Sequence, residues 1–282
     1  LGARINGVEQ ADTLATAQGL LNAGGSDVVA LAAGTHTGDI TVAAGQTLVG
    51  AGPAVHIAGT VTVDAGATVR GLSADALVTT GGDVTLSDLR LGQLEVRAPV
   101  LTVERLTVTG ATDISDSVAG SGGVFRANDF LGGTTVTDLA TSALFEANRF
   151  GGDTALTVTG GTGAALFRAN AIAGVSLGLD YRGAATMAGN AISGETGVVS
   201  DRAGAAFAFG ATGRNEVTGT TTGVRLEGGA ILTDTEVTAG TTGVTGTGLI
   251  TGADLAGGVK VTGTPTAVGG FTGRVLHLTV AD

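Results

Sequence analysis

Short runs of apolar and β-branched residues, separated by glycines, repeat along most of the chain at intervals of about twenty residues. One part of the repeat is conspicuous: a large apolar residue, two further residues, an asparagine, one residue and a second large apolar residue. Four copies occupy 125–130, 145–150, 167–172 and 187–192, and a degenerate copy follows at 215–217. Their asparagines follow one another at intervals of 20, 22, 20 and 25 residues: Asn128, Asn148, Asn170, Asn190 and Asn215. A period of this length, with two or three short strands per copy, is typical of one coil of a β-solenoid.

Equivalent positions of neighbouring coils stack about 4.8 Å apart, so the repeat predicts columns of like residues. The large apolar residues predict two inward columns: Phe125, Phe145, Phe167 and Met187 in one, and Phe130, Phe150, Ile172 and Ile192 in the other. The asparagines predict a ladder in which each amide bonds to the next, with the asparagine itself in the left-handed conformation. Outward charges of alternating sign predict a row of surface ion pairs, each worth at most about 1 kcal/mol: Arg126, Glu146 and Arg168.

The two ends of the chain predict different structures. Asn6 with Glu9 resembles a capping box, and an apolar face follows, so we expect an amphipathic helix within 1–25 that covers the first coil. Coils then occupy 26–258 and strands 259–282, which gives one all-β domain over 1–282 with about 11–12 coils. No polar cap is seen after the alternating segment 274–280, so we expect that end to continue into a longer chain, to self-assemble or to dock on a partner.

Segments 27–52 and 128–219 resemble the pectin-lyase-like right-handed parallel β-helix superfamily. The first has a strand leading to Gly-Thr-aromatic, a second short strand and a Thr-Leu-x-Gly turn, and the second has Asn-x-Ile-x-Gly coils. The resemblance implies a right-handed parallel β-helix. It leaves function open, because enzymes, adhesins and phage fibres share these repeats.

Composition narrows the functional classes. The chain has a formal net charge of −11 and a single lysine, which disfavours nucleic-acid and anionic-membrane partners. It has no cysteine, so disulfides and thiolate sites are excluded, and no apolar run is long enough for a membrane span. The first residue is Leu1 and no signal peptide precedes it, so we expect a processed form or a segment of an extracellular, cell-surface protein.

Charged residues that could carry chemistry fall on three consecutive repeats, in the strand that we align after the asparagine turn. In the superfamily that the chain resembles, this strand lines the catalytic groove. The candidate catalytic residues are Asp180, Arg182, Asp201, Arg225 and Glu227, and Tyr181 and Arg202 are candidates for glycan binding. Carboxylates one or two coils apart suit glycosidase chemistry, and an arginine suits a uronate carboxylate. The alternative is that these are solvated charges paired across neighbouring coils.

The known signatures of metal and catalytic sites are missing. The Asp-rich calcium motif, the Asp-Asp pair and the Gly-His-Gly of the superfamily's lyases and hydrolases are absent, so none of those residues is carried over. His36 and His56 lie 20 residues apart and would stack on adjacent coils, where they could share a metal, but no carboxylate pair completes a site. No cofactor is indicated; Ca²⁺ is conceivable, although its nonapeptide motif is also absent.

Three functions remain after these exclusions. The first hypothesis is a structural or adhesive extracellular module without catalysis, favoured by small outward residues and few catalytic types. The second is a polysaccharide-active lyase, hydrolase or epimerase acting on an acidic glycan, and glycan binding without turnover lies between the two. The third is ice binding through a threonine array, which charged and apolar residues interrupt; its members are Thr137, Thr157, Thr245 and Thr247.

Replacing Asn148 with alanine tests the ladder. We expect Asn148→Ala to lower the thermal midpoint markedly, because it removes an amide that bonds to the coils on either side. Thermal unfolding followed by circular dichroism measures this, and an unchanged midpoint would contradict the assignment.

Overall fold

The computed structural model is a parallel β-solenoid of about 11 turns, which confirms the predicted fold class. It describes residues 4–5, 8–23, 28–115, 122–139, 142–201, 214–232, 235–250, 259–262, 274–275 and 278–281. Contacts between Cα atoms divide the chain into two compact units, Leu1–Phe130 and Leu131–Asp282. The prediction of a single domain over 1–282 stays a prediction.

The strands of the first unit have at most nine residues, whereas the second unit also contains longer strands of up to 20 residues. The first unit contains β1 (Arg4–Ile5), β2 (Val8–Ala11), β3 (Val28–Leu31), β4 (Gly34–Thr37), β5 (Ile40–Val42), β6 (Thr47–Gly50), β7 (Val55–Val63), β8 (Thr68–Arg70), β9 (Ser73–Thr79), β10 (Val84–Ser87), β11 (Arg90–Val96), β12 (Val100–Glu104), β13 (Thr107–Val108), β14 (Thr112–Ser115), β15 (Val124–Arg126) and β16 (Asp129–Phe130). The second contains β17 (Thr134–Thr137), β18 (Leu144–Glu146), β19 (Arg149–Arg168), β20 (Ala171–Ala188), β21 (Ala191–Ser200), β22 (Asn215–Leu232), β23 (Thr235–Ala239), β24 (Thr242–Ile250), β25 (Val259–Thr262), β26 (Arg274–Val275) and β27 (Leu278–Ala281).

Each coil contributes to three parallel sheets, which we number in chain order within the coil. In the first unit, β3, β6, β8, β10 and β12 belong to the first sheet, β4 and β13 to the second, and β5 and β14 to the third; β7, β9 and β11 bend and serve the second and third. In the second unit, 144–146 and 166–168 lie in the first sheet, 149–152 and 171–174 in the second, and 156–160 and 179–183 in the third. Outward side chains of one sheet therefore form columns that cross the coils.

The predicted inward columns are present in the second unit. Phe145 pairs with Phe167 and Phe167 with Met187, and the two rings stack with centroids 4.3 Å apart and planes inclined by 1°. Phe150, Ile172 and Ile192 form the second column, and all these residues are buried. The predicted outward pair of Glu146 with Arg168 is also present.

The asparagine column is a continuous amide ladder in the second unit. The backbone N–H and the Nδ2 of Asn148 both donate to Oδ1 of Asn170, at 2.9 and 3.1 Å, and Asn170 and Asn190 repeat the pattern toward Asn190 and Asn215. The second Nδ2 hydrogen of Asn170 reaches the carbonyl oxygen of Phe145. The backbone N–H and the side-chain amide of Asn170 therefore both have hydrogen-bond partners inside the core, where an unpaired buried polar group would cost about 1–3 kcal/mol. The ladder ends on Thr235, which is buried and pairs with Asn215.

The residue in the left-handed conformation is the one before each asparagine, so the prediction that asparagine itself adopts it is wrong. Ala127, Ala147 and Ala169 have φ of 53°, 55° and 54°, and Gly189 has 62°. The asparagine follows the bend, and its side-chain amide points inward because the ladder is built inside the core. The bend itself requires only a residue with positive φ, which alanine or glycine supplies. In the first unit, Leu72, Leu89 and Leu106 take the asparagine position and keep the same main-chain bonds.

The N-terminal helix, α1 (Leu14–Asn22), is shorter than predicted and begins elsewhere. Its N-cap is Thr13, whose Oγ1 accepts from the N–H of Thr16 at 3.2 Å. The predicted capping box is wrong, because Glu9 lies in strand β2 and pairs with Val29; Asn6 is outside the described residues. The helix still covers a strand edge, because the Gln18 amide bonds to both the N–H and the carbonyl of Thr41.

At the C-terminal end, β25 pairs in parallel with β27, and the predicted alternating segment contributes β26 and β27. The expectation of a partner, of self-assembly or of a longer chain at this end stays a prediction.

Replacing the strained alanine tests the corrected turn. We expect Ala147→Gly to raise the free energy of unfolding by about 0.5–1 kcal/mol, because glycine removes a left-handed strain of about 1–2 kcal/mol at the cost of extra chain entropy. Urea denaturation measures this. The matched control, Ala171→Gly, changes an exposed alanine inside a strand and should instead lower the stability by about 0.5–1 kcal/mol. Equal losses in both variants would contradict the assigned strain.

Candidate functional site

The candidate catalytic residues lie on the third sheet of the second unit, facing outward. A strand of the second sheet separates them from the asparagine turn, so the prediction that their strand directly follows that turn is wrong. Asp180 pairs with Val199 and Val199 with Arg225, which places these three residues in one column. Two residues further along their strands, Arg182, Asp201 and Glu227 occupy the next outward position. Neighbouring rungs lie about 4.8 Å apart, so the structure brings all five charges together.

The five charged residues form what we call the Arg182 cluster. Arg182 bonds through Nε to Asp180 Oδ1 at 2.8 Å and through a terminal nitrogen to Asp201 Oδ2 at 3.2 Å. Arg225 Nε lies 2.8 Å from Glu227 Oε1. The hydrogen bond and the charge of Asp180, followed by the charges of Asp201 and Glu227, raise the pKa of Arg182.

The two arginines of the cluster differ in the number of carboxylates that they bind. Arg182 is held by carboxylates of two coils, whereas Arg225 pairs only with Glu227 among the residues that the structure describes, and its side chain is 50% exposed. Val199, which is buried, separates Arg225 from Asp180 by two rungs, about 10 Å. Arg225 is therefore the cation of this cluster best placed to meet an anion from solvent.

Tyr181 does not reach the surface, so its predicted role in glycan contact is wrong. Its ring is 1% exposed and lies in the inward column beside Val158 and Ser200. Its hydroxyl donates to the carbonyl of Ala185 at 2.6 Å and accepts from the N–H of the same residue at 3.0 Å. The alternation of the strand, with Asp180 and Arg182 outward, points Tyr181 inward. Arg202 lies outside the described residues.

A second outward cluster lies on the third sheet of the first unit, and the sequence analysis did not find it. Glu95 pairs in register with Asp113 on the next coil, and Arg97 makes two bonds to the Glu95 carboxylate. Glu95 and then Asp113 raise the pKa of Arg97. A cleft of about 240 Å³ opens here, and Gln93, Ala76 and Ala111 line it together with the two carboxylates. We call Gln93, Glu95, Arg97 and Asp113 the Glu95 cluster. The sequence pattern does indicate this cluster, because Glu95 and Asp113 lie 18 positions apart and each stands between two buried residues of a strand.

The histidines do not stack on one another, so the predicted shared column is wrong. The register pairs Thr35 with His56, and His36 with Ile57. His36 Nε2 instead contacts the carbonyl of Ala32 at 2.9 Å. No group of three or more histidine, aspartate or glutamate side chains within the described ranges is arranged to hold a metal ion.

The threonine array is also less regular than the ice-binding hypothesis requires. Thr137 pairs with Thr159 and leads to Arg182, whereas Thr157 pairs with Asp180 and shares its column with Arg225 and Thr245. The predicted members therefore occupy two columns, and charges interrupt both.

In the part of the chain that the structure describes, the one helix has nine residues, which is too few to cross a bilayer.

Comparison with known proteins yields two similar solved structures. The A-module of mannuronan C-5 epimerase AlgE6 from Azotobacter vinelandii matches with a TM-score of 0.66 and 15% identity, over 98% of this chain and 96% of that one. The A-module of AlgE4 from the same organism matches with a TM-score of 0.59 and 14% identity, over 100% and 98%. No protein-family model matches the sequence, and no curated protein sequence does.

These similarities confirm the predicted resemblance to the pectin-lyase-like β-helix fold. They contradict the first functional hypothesis, a structural or adhesive module without catalysis, because both similar structures are modules of polysaccharide-modifying enzymes.

Replacing Tyr181 tests its structural role. We expect Tyr181→Phe to lower the free energy of unfolding by about 1–3 kcal/mol, because the buried N–H and carbonyl of Ala185 lose their shared partner. Urea denaturation measures this. Ser176→Ala, which removes an exposed hydroxyl bound to Asp153, is the control and should change stability by less than about 0.5 kcal/mol. A Tyr181→Phe variant as stable as the control would contradict a structural hydroxyl.

Proposed function

We propose that the protein is a polysaccharide-active enzyme that acts on an acidic glycan along the outward face of its third sheet. The observation that carries this proposal is the Arg182 cluster, in which two arginines and three carboxylates face solvent on three neighbouring coils. A polyuronate presents a carboxylate on every sugar, and an arginine binds a carboxylate through two parallel N–H groups. The similarity to mannuronan C-5 epimerase modules supports the same substrate class, because mannuronan is a polymer of mannuronate.

The chemistry that suits this cluster is removal of the proton at C5 of a uronate. This proton is next to the carboxylate, so its removal places an electron pair on the carboxylate oxygens, and a nearby cation stabilises the charge that develops there. Arg225 is the proposed cation, because its single carboxylate partner leaves N–H donors for a ligand. Protonation of C5 from the opposite face completes an epimerisation; breaking the bond from C4 to its glycosidic oxygen instead completes a lyase reaction.

Asp201 is the proposed base. Its contact with Arg182 is 3.2 Å, longer than the 2.8 Å contacts that join Arg182 to Asp180 and Arg225 to Glu227. Asp201 is thus the carboxylate with the longest contact to an arginine, and it lies on the coil next to Arg225. A base must reach the proton that it removes. Asp201 lies one rung from Arg225 and two residues further along its strand, so their backbone positions are about 8 Å apart and leave room for a uronate ring between the two side chains.

Hydrolysis is the weaker alternative. It needs one carboxyl group to act as an acid toward the leaving oxygen, whereas every carboxylate of the Arg182 cluster has an arginine partner. Action on a polysaccharide also favours an extracellular location, which we include in the proposal.

Exchange of the C5 proton tests the proposal directly. Mannuronan, polygalacturonate and a neutral mannan are incubated with the protein in D₂O, and ¹H NMR follows the C5 proton, the C5 configuration and unsaturated products. We expect exchange on an acidic glycan, and an at least about 100-fold loss of rate in Asp201→Asn and in Arg225→Gln.

Two further variants make the result specific. Arg149→Gln removes an exposed arginine of the second sheet in the same unit and should leave the rate unchanged. Arg97→Gln reports on the Glu95 cluster. Loss of turnover in Arg97→Gln but not in Arg225→Gln would move catalysis to the first unit and overturn the assignment to the Arg182 cluster. Absence of exchange, elimination and cleavage on every acidic glycan would overturn the proposed activity itself.

A further inference from the structure

A cavity in the first unit, away from the third sheet, is lined by two arginines. Its volume is about 440 Å³, within the range of about 300–1,000 Å³ that small-molecule pockets occupy. Arg90, Arg105 and Thr107 contribute polar groups, and Pro53, which is exposed, contributes apolar surface. The cavity lies where the first sheet turns into the second. We call it the Arg90 pocket.

Arg90 has no ion-pair partner among the residues that the structure describes. It is the first residue of its second-sheet segment, exposed, and its register neighbours are Ser73 on one side and Thr107 on the other, so neither adjacent coil offers a carboxylate at this position. The arginines of the other clusters are bound by acids, as Arg97 is by Glu95 and Arg182 by Asp180. The guanidinium of Arg90 is therefore available to an anion, with hydroxyls on both flanks.

Arg105 forms a second, fixed wall. Its Nε and one terminal nitrogen bond to the two oxygens of Asp88 at 2.7 and 3.0 Å, and its other terminal nitrogen lies 2.6 Å from Glu104. Three of the five N–H donors of an arginine are used in this way, and two remain for a ligand. The bonds to Asp88 and Glu104 hold the guanidinium in one orientation.

Asp88, the acid that lines the Arg90 pocket, is neutralised by the same contacts. Its hydrogen bond to Arg105 and the charge of that arginine lower the pKa of Asp88 against the opposing effect of burial, and the charge of Arg70 adds to the lowering. Asp88 is thus bound to Arg105, and Arg90 remains as the arginine of the pocket wall without an ion-pair partner among the described residues.

We propose that the Arg90 pocket binds a carboxylate-bearing sugar of the glycan chain, as a binding site separate from the catalytic cluster. The choice of a uronate as ligand rests on the proposed function. Arg90 receives the carboxylate through two parallel N–H groups. The remaining donors of Arg105 and the hydroxyl of Thr107 meet ring oxygens, and Pro53 contacts the apolar face of the sugar.

Titration calorimetry with two matched oligosaccharides tests the Arg90 pocket. The probes are a short mannuronate oligomer and the same oligomer with its carboxyl groups reduced to alcohols, titrated into the full chain. We expect Arg90→Gln to weaken binding of the mannuronate oligomer at least about tenfold, and Arg90→Lys to give an intermediate loss, because lysine keeps the charge but not the paired N–H groups. The reduced oligomer should bind weakly to all forms.

The control is Arg149→Gln, because Arg149 also begins a second-sheet segment directly after the turn residue but lies outside the Arg90 pocket. It should bind the mannuronate oligomer as the wild type does. Equal affinity of Arg90→Gln and wild type, or no binding of the mannuronate oligomer by the wild type, overturns the inference.

Failure of this inference and failure of the proposed activity give different results. Turnover that depends on Arg225, together with unchanged affinity of Arg90→Gln for the mannuronate oligomer, keeps the enzyme and removes the pocket. Binding that depends on Arg90 without turnover of any acidic glycan keeps the pocket and removes the enzyme.

Discussion

Parallel main-chain hydrogen bonding between successive coils is the interaction on which the other features of this protein depend. It sets the spacing of about 4.8 Å that lets like residues meet, and it makes a column, rather than a single residue, the unit of packing. The asparagine ladder extends this bonding into the side chains of the second unit, where each Oδ1 accepts two bonds from the preceding coil. The register between neighbouring coils is therefore fixed at the turn as well as along the strands. This register determines which outward charges of the third sheet lie next to one another.

Residues that act through repetition could be predicted from the sequence. The phenylalanine columns and the asparagine ladder follow from a recurring six-residue pattern, because each copy must stack on a similar copy. The helix start could not be predicted in the same way, because it occurs once. Glu9 three residues after Asn6 fits a capping box in isolation, yet β2 forms there because β3 supplies a pairing partner from another part of the chain.

The candidate site shows a similar division. The five charges of the Arg182 cluster were identified because they fall at equivalent positions of successive coils, and the structure brings them together. Tyr181 was misassigned because a polar aromatic residue was taken as a surface group, whereas strand alternation directs it inward. The Glu95 cluster was missed because the coils before Asn128 lack the asparagine that aligns the later coils. The Arg90 pocket could not be predicted, because the sequence does not show that Arg105 binds Asp88 while Arg90 has no ion-pair partner among the described residues.

The interchangeability of turn residues has a consequence for how such a chain can change over time. Leucine in the coils before Asn128 and asparagine in the later ones occupy the same place and keep the same main-chain bonds, so neighbouring coils are compatible modules. Duplication or loss of one whole coil would preserve the backbone of its neighbours while moving every outward residue by one rung. The length of the molecule and the arrangement of charges on its surface can thus vary in steps of one repeat, with the core left intact.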